Sequence, residues 1–336
     1  MEKDRITAQI EKNTLSADKN YGFDEEHNHL LPAEYWFQNA QAGLCFFIVF
    51  YTQACRWSQC LGCNLPSKLS KNEVSFKEIM KQSDFIFDFL LTDKQKMEIK
   101  KVIVSNNGSV LDEETFSTAA LLYFVAKMNM HCPNVSVLTL ETRTEYVDWH
   151  ELEVLHRTLN EGYQKTDLEI ALGFEAFDEK IRNEIFKKGL SLDVFEKCAS
   201  LVVKYGFRLK TYFMLKPIPG LSEEEGIEDI KNAIDYLDKL ATKLKLKINM
   251  HLNPTYVAMG TVLEKEFSLG NYKPPLLESV RKAILHAKGK NITIYVGLND
   301  EGLAVEGGSF IRPGDEKLQE TLDIFNQTQD FSLLET

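Results

Sequence analysis

The stretch LCFFIVFY, residues 44–51, is followed after three further residues by CRWSQCLGC, residues 55–63. The first stretch is apolar throughout, which predicts a strand buried on both faces of a parallel sheet. The second places Cys55, Cys60 and Cys63 in a C-x4-C-x2-C pattern in the loop after that strand. Because thiolates clustered in one short loop are typical of a metal centre, the sequence predicts such a centre at the end of the first strand.

The composition of the chain restricts its class. The 336 residues include 44% hydrophobic and 26% charged residues, with a formal net charge of −11, which indicates a folded protein and neither a disordered chain nor a coiled coil. No apolar run approaches about 18 residues and the first twenty residues are charged, so we expect a cytoplasmic protein. The acidic balance weighs against broad affinity for nucleic-acid backbones, although it does not exclude a local basic groove. The other cysteines, Cys45, Cys132 and Cys198, are scattered, which disfavours a disulfide framework.

Six strand candidates alternate with amphipathic stretches. They are residues 44–51, 100–105, 135–141, 168–175, 207–215 and 246–253. Most are separated by enough residues for a helix, which predicts parallel β/α units that curl into a partial (β/α)6 barrel, an α/β fold with its site at the C-terminal ends of the strands. We further predict a helix near 276–287 and a strand at 292–296. The predicted organisation is an N-terminal extension or cap (1–40), a barrel core (41–255) and a small C-terminal α/β region that covers the substrate (256–336).

Two helices carry boundary signals. Ser222 and Glu225 form a capping box. Ser191 is a second candidate cap, and the helix after it should present one apolar face to the sheet. That face comprises Val194, Cys198 and Val202.

Taken alone, the three cysteines are compatible with a structural zinc site or an iron–sulfur cluster, and zinc would need a fourth Cys or His. Directly after the first strand of a six-unit β/α chain, however, the loop resembles that of the radical S-adenosylmethionine (SAM) superfamily, whose commonest pattern is C-x3-C-x2-C. The first gap here is one residue longer, and Gly62 stands where an aromatic residue is frequent. The resemblance implies a [4Fe–4S] cluster held by Cys55, Cys60 and Cys63, with one iron open to the amino and carboxylate groups of SAM.

The resemblance also implies that residues at the strand ends bind SAM. The candidates are Ser105, Asn106 and Asn107 after the second strand, where the common pattern has Gly-Gly-Glu, then Glu141 and Arg143, Glu175 and Arg182, and finally Met214 and Leu215. Alternative roles stay open for most of them. These are a turn and helix cap for 105–107, an ion pair for Glu141 and Arg143, and core packing for Met214 and Leu215.

Four further motifs narrow the resemblance. ETRTE (141–145), LKP (215–217), NPTYV (253–257) with Gly260-Thr261, and YKPP (272–275) are together similar to the archaeosine-synthase radical SAM subunit family. That family is related to the elongator catalytic-subunit and methylthiotransferase radical SAM enzymes. The resemblance implies an enzyme of lyase or transferase type that uses a 5′-deoxyadenosyl radical to cleave a C–N bond in a lysine-modified deazaguanine base of tRNA. It also implies an electron donor such as flavodoxin or ferredoxin, and a partner enzyme that supplies the substrate.

Two alternatives stay open. The acidic charge favours a radical SAM enzyme that acts on a small metabolite or peptide. A zinc- or iron–sulfur-binding protein without catalysis is the other alternative, since the cysteine pattern alone permits it.

Overall fold

An eight-stranded sheet forms the centre of the molecule. The computed structural model describes residues 2–300 and 302–335, so Met1, Glu301 and Thr336 lie outside the described residues. In the sheet, every strand neighbours the next one in the chain. The strands are β1 (Glu34–Ala40), β2 (Gly43–Val49), β3 (Lys101–Ser105), β4 (Val137–Thr142), β5 (Asp167–Glu175), β6 (Arg208–Leu215), β7 (Ile248–Pro254) and β8 (Ile292–Val296).

The predicted strands are confirmed as β2 to β7, and the later strand as β8. β2 to β8 run parallel, whereas β1 pairs antiparallel with β2. The C-terminal ends of all the parallel strands therefore meet at one rim of the sheet, here called the C-terminal edge. Because β1 runs the other way, its first residue, Glu34, pairs with Val49 and also lies at this edge.

Helices connect and cover the strands. They are α1 (Glu2–Ser16), α2 (Phe76–Phe85), α3 (Asp93–Glu98), α4 (Thr118–His131), α5 (Trp149–Leu159), α6 (Leu192–Lys204), α7 (Glu223–Leu244), α8 (Val262–Ser268), α9 (Leu277–Ile284) and α10 (Glu316–Thr328). Both predicted caps are confirmed. Ser222 and Glu225 form the capping box of α7, and Ser191 accepts a hydrogen bond from the amide of Val194 in α6.

The predicted apolar face of α6 is wrong at one position. Val194 is exposed, while Phe195 is fully buried beside the predicted Cys198 and Val202. The buried face is thus displaced by one residue at its start, since Phe195 recurs with Cys198 and Val202 at helical spacing and Val194 lies at the margin of that face. Among the described residues, no helix is both long and apolar enough to cross a membrane.

The two faces of the sheet have different surroundings. Side chains such as Val102 and Val104 join the large core between sheet and helices, whereas the intervening Ile103 packs with Phe47 on the other face. This second face is the barrel interior. Strand alternation also places polar and charged side chains there, including Lys101, Glu169 and Lys210.

The sheet is an open half-barrel. In the described part of the chain β1 and β8 are its two edges and form no ladder with each other, yet α10 contacts both. One helix can reach both edges only because the sheet is curled. The predicted α/β partial barrel is therefore confirmed.

The predicted N-terminal extension or cap, residues 1–40, contains α1 and the antiparallel strand β1. Ile6 and Ile10 of α1 are buried, one helical turn apart, in the main core. The limits at residues 40 and 255, and the covering role of residues 256–336, stay predictions.

Candidate cluster and cofactor site

Side-chain hydrogen bonds hold the cysteine loop near its start and at its end. Arg56 makes a bidentate ion pair with the buried Asp112, with Nε 2.7 Å and Nη2 2.5 Å from the carboxylate oxygens. The indole N–H of Trp57 donates to the carbonyl of Lys187 at 2.8 Å, and Asn64 donates to the carbonyl of Met259 at 3.1 Å. The loop is thus held by segments that follow β3, β5 and β7, all at the C-terminal edge.

The loop after β3 lies along the cysteine loop. Asn106 donates from Nδ2 to Thr52 Oγ1 at 3.2 Å, and Asn107, with φ of +51°, donates to the carbonyl of Leu65 at 3.4 Å. A Cβ on Gly108 would lie 3.3 Å from both Cα and Cβ of Cys55, so glycine permits this close approach. The predicted Asn106 and Asn107 are therefore placed directly beside the cysteines. The buried Oδ1 of Asn106 makes no hydrogen bond to any described residue.

Two of the three thiols, those of Cys60 and Cys63, are buried beside cations. Burial raises the pKa of the Cys63 thiol to about 12, and neighbouring Lys19 opposes this rise. Burial likewise raises the pKa of Cys60, opposed by Lys188 and Arg143. Binding of a metal centre must therefore displace protons from these thiols, and the nearby cations stabilise the resulting thiolates.

Arg143 and Glu175 lie at this cationic side of the site. The guanidinium carbon of Arg143 lies 4.4 Å from the ring centroid of Trp57, and its Nε is 2.5 Å from Glu145. Glu175 accepts an ion-paired hydrogen bond of 2.8 Å from Lys188. Arg143 therefore forms an ion pair, as the alternative role predicts, but its acidic partner is Glu145 and not Glu141.

Ser105 and Glu141 come together in the barrel interior. Both Ser105 and the hydroxyl of Tyr212 donate hydrogen bonds to the Glu141 carboxylate, which oppose the rise in its pKa that burial causes. Tyr212 pairs across the sheet with His251, and their ring centroids are 4.7 Å apart. Burial and the charge of Lys210 hold the pKa of His251 well below its usual value. A neutral imidazole therefore lies beneath the C-terminal edge.

Two predicted cofactor residues face away from the interior. Arg182 is fully buried on the helix side, where Nε donates to the carbonyl of Leu190 at 2.7 Å and Nη1 to that of Phe177 at 2.6 Å. Its guanidinium stabilises the turn after β5 and does not reach the cofactor edge. Leu215 lies in the core under α7, because alternation along β6 sends only Met214 to the interior. The predicted cofactor contacts of the Arg182 and Leu215 side chains are therefore wrong, because both side chains lie on the helix side of the sheet.

Lys210, deep in the interior, gives the fold a testable pH dependence. Burial, then the charge of Lys101, lowers its pKa to about 8 from the ordinary value of 10.5. A lysine with a lowered pKa destabilises the folded state while it is charged, and this cost is relieved as the pH rises from the folded to the unfolded pKa. Between pH 8 and 10.5, we expect wild type to gain up to about 3 kcal/mol of unfolding free energy relative to Lys210→Met. Urea unfolding across this range measures the difference, and a pH-independent difference would contradict the assignment.

The cysteine site fits an anionic iron–sulfur cluster. Its donors are three thiols, it is surrounded by Lys19, Lys188 and Arg143, and Asn106 supplies an unused acceptor beside it. All three thiols lie close enough to Tyr21 to contribute to the rise in its pKa. In the described part of the chain, no three His, Cys, Asp or Glu side chains are placed to hold a single metal ion.

These features define an open parallel β/α half-barrel with a three-cysteine loop at its C-terminal edge. The chain is similar to archaeosine synthase subunit beta of Thermococcus kodakarensis, with 25% identity over 87% of this chain and 88% of that one. The same-named protein of Methanosarcina acetivorans is 27% identical over 72% of this chain and 66% of its own length. An uncharacterised protein of Methanocaldococcus jannaschii is 23% identical over 90% and 83% of the two chains.

No family model matches the chain. Among solved structures, it is similar to the Elp3 of Methanocaldococcus infernus, with 17% identity and a TM-score of 0.47 over 73% of this chain and 59% of that one. The predicted resemblance to the archaeosine-synthase radical SAM subunit family is confirmed by the sequence relatives.

Four site residues were not predicted from the sequence: Lys19, Tyr21, Trp57 and Lys188. Trp57 lies inside the cysteine motif, so its position alone could have indicated a role. Lys188 belongs to Lys-Lys-Gly, in which Lys187 and Gly189 have positive φ. The turn that they form brings the side chain of Lys188 within hydrogen-bond distance of Glu175. Lys19 and Tyr21 reach the site only through the tertiary position of the N-terminal segment.

Proposed function

We propose that this chain is a radical SAM enzyme whose [4Fe–4S] cluster is held by Cys55, Cys60 and Cys63. The observation that carries the proposal is the cysteine loop itself, which is anchored at the C-terminal edge among the loops after β3, β5 and β7. When bound, the reduced cluster would donate one electron to SAM, which breaks its C5′–S bond to give methionine and a 5′-deoxyadenosyl radical that abstracts hydrogen from substrate.

The residues of the chain would orient SAM and exclude water. Asn106 offers its unpartnered Oδ1 and Gly108 its accessible backbone beside Cys55, and both suit the methionyl ammonium. Ser105, Glu141 and Met214 line the interior next to them and suit the nucleoside part of SAM. Anaerobic reconstitution, reduction and incubation with SAM should yield 5′-deoxyadenosine. A protein that binds iron and sulfide but leaves SAM intact would contradict this function.

A lateral opening suits a substrate that is part of a larger molecule. A cavity of about 370 Å³ lies between the start of β1 and Asn299, beyond β8, and its wall includes Trp36. The indole of Trp36 stacks on Phe47 at 4.1 Å in the interior. Because Glu34 at the cavity lies at the C-terminal edge, we propose that the substrate enters here.

For the substrate we propose a modified deazaguanine base of tRNA, since two relatives are named archaeosine synthase subunit beta. Their name also supports a partner subunit, and an electron donor such as flavodoxin or ferredoxin would supply the electron. We expect the affinity of the reconstituted protein for tRNA to fall about tenfold or more between about 50 and 200 mM salt, because the release of counterions from the phosphates contributes less as the salt concentration rises. Filter binding or fluorescence anisotropy measures this affinity.

A small metabolite or peptide is the second candidate substrate. The net charge of −11 favours it, as does the location of the lysine-rich run 239–247, which ends at the start of β7 and so lies at the edge opposite the cysteines. Absence of salt-dependent tRNA binding would contradict the tRNA proposal and favour this candidate.

A further inference from the structure

The N-terminal segment 18–21 covers the cysteine loop. The ammonium of Lys19 donates to the carbonyl of Ser58, between the first two cysteines, at 2.9 Å, and Asn13 of α1 donates to the carbonyl of Arg56 at 2.8 Å. On its other side, the amide of Asn20 donates to the carbonyl of Gly260 at 2.8 Å. The segment therefore bridges the cysteine loop and the chain after β7.

The approach at Gly260 is close. This residue has φ of +72°, and a Cβ there would lie 2.8 Å from the carbonyl oxygen of Asn20. Asp18 adds an ion pair of 2.5 Å with Lys265 of α8. The hydrogen bonds of Lys19, Asn13 and Asn20, together with the ion pair of Asp18, thus hold Lys19 in place over the cysteines.

Lys19 is a buried cation without an anionic partner. Its relative exposure is 5%, and no carboxylate among the described side chains forms an ion pair with it. The two other cations near Cys60 differ in this respect, because Lys188 pairs with Glu175 and Arg143 pairs with Glu145. Burying an ammonium is costly unless a negative charge compensates it. A negatively charged cluster held by the cysteines would supply that charge, since the Ser58 carbonyl that Lys19 binds lies between Cys55 and Cys60.

We infer that Lys19 is the counter-ion of the cluster held by the three cysteines and that its charge raises the reduction potential of that cluster. Reduction adds one negative charge to the cluster, and a fixed cation in a site shielded from water stabilises the reduced form more than the oxidised form. Lys19 is thus a positioning and tuning residue that assists electron entry. This inference rests on the proposed function, since it requires the cluster.

The test compares three substitutions of Lys19 with a matched control. Lys19→Gln removes the charge and keeps an amide donor for the Ser58 carbonyl, Lys19→Met removes both, and Lys19→Arg keeps the charge. Lys12→Gln changes an exposed lysine of α1. In redox titrations monitored by EPR, we expect Lys19→Gln and Lys19→Met to move the midpoint potential to more negative values. Lys19→Arg and Lys12→Gln should stay close to wild type.

The outcomes separate the inference from the proposed function. A wild-type protein that binds no iron and sulfide would overturn the proposed function, and the inference with it. Equal iron loading and equal potentials in wild type and Lys19→Gln would overturn the inference alone. If Lys19→Gln and Lys19→Met fail to load iron while Lys19→Arg loads it, the charge is required to hold the cluster, which supports the inference. If all three fail, the role is one of shape, and the inference is wrong.

Discussion

Cys60→Ala should reduce the iron content of the reconstituted protein to a small fraction of the wild-type value and abolish formation of 5′-deoxyadenosine. Cys60 lies in the middle of the loop, beside Lys188 and Arg143, whose charges favour its thiolate. Loss of one of three protein ligands leaves a second iron without a thiolate, and a cluster held by two cysteines is not retained. Iron and sulfide analysis and product chromatography measure the two effects.

Cys198→Ala is the matched control for this prediction. Cys198 is buried in α6, on the helix side of the sheet, in the main core. Its replacement removes one sulfur atom from the core and touches no part of the cysteine loop, so iron content and product should match wild type. If Cys60→Ala retained cluster and activity, the assignment of the loop would be wrong.

Glu169→Gln should lower the free energy of unfolding by about 3–5 kcal/mol. Glu169 is buried in the barrel interior, where Lys101 Nζ lies 2.5 Å and Thr139 Oγ1 2.8 Å from its carboxylate. Its charge also compensates Lys210. The neutral amide therefore leaves two buried ammonium groups without their anion, which is the main source of the expected loss.

Glu98→Gln is the control with the same chemical change. Glu98 pairs with Lys94 on α3 at 3.7 Å, with half or more of each side chain exposed. Exposed pairs of this kind contribute at most about 0.5 kcal/mol.

Adding Lys210→Met to Glu169→Gln should recover part of the loss in the free energy of unfolding, because one uncompensated ammonium is then removed. Urea unfolding gives the free energies of unfolding of wild type, Glu169→Gln, Glu98→Gln and the double variant. An unchanged stability of Glu169→Gln would contradict the role assigned to the Lys101–Glu169 ion pair.

The parallel strands could be predicted from sequence because each is a short, strongly apolar run that follows a helix-length segment. The strand β1 could not, since it is an antiparallel edge strand whose sequence, EYWFQNA, has no continuous apolar run. The helix α1 was also missed, although Ile6 and Ile10 are spaced as one helical face. Two isolated apolar residues in a charged segment are a weak signal, and their burial depends on contacts distant in the sequence.

The cysteine site is predicted from local spacing, whereas the positions of the side chains around it depend on tertiary structure. Adjacent residues of a strand face opposite sides of the sheet, so Met214 and Leu215 cannot both direct their side chains to the cofactor, although the resemblance implies both. Arg182 lies in the segment after β5, where no strand or helix period of the sequence indicates which way a side chain points. Its guanidinium donates hydrogen bonds to backbone carbonyls of that same segment. Lys19 lies 36 residues before Cys55, and no local pattern connects them.

We propose that Cys55, Cys60 and Cys63 hold a [4Fe–4S] cluster with one iron open to SAM. The most direct measurement is the EPR spectrum of the reconstituted, reduced protein recorded with and without SAM. The proposal predicts the signal of a reduced [4Fe–4S] cluster that changes when SAM is added, because SAM then ligates the open iron. A protein that binds zinc and gives no iron–sulfur signal, or a cluster signal that SAM leaves unchanged, would contradict this assignment of the cysteines.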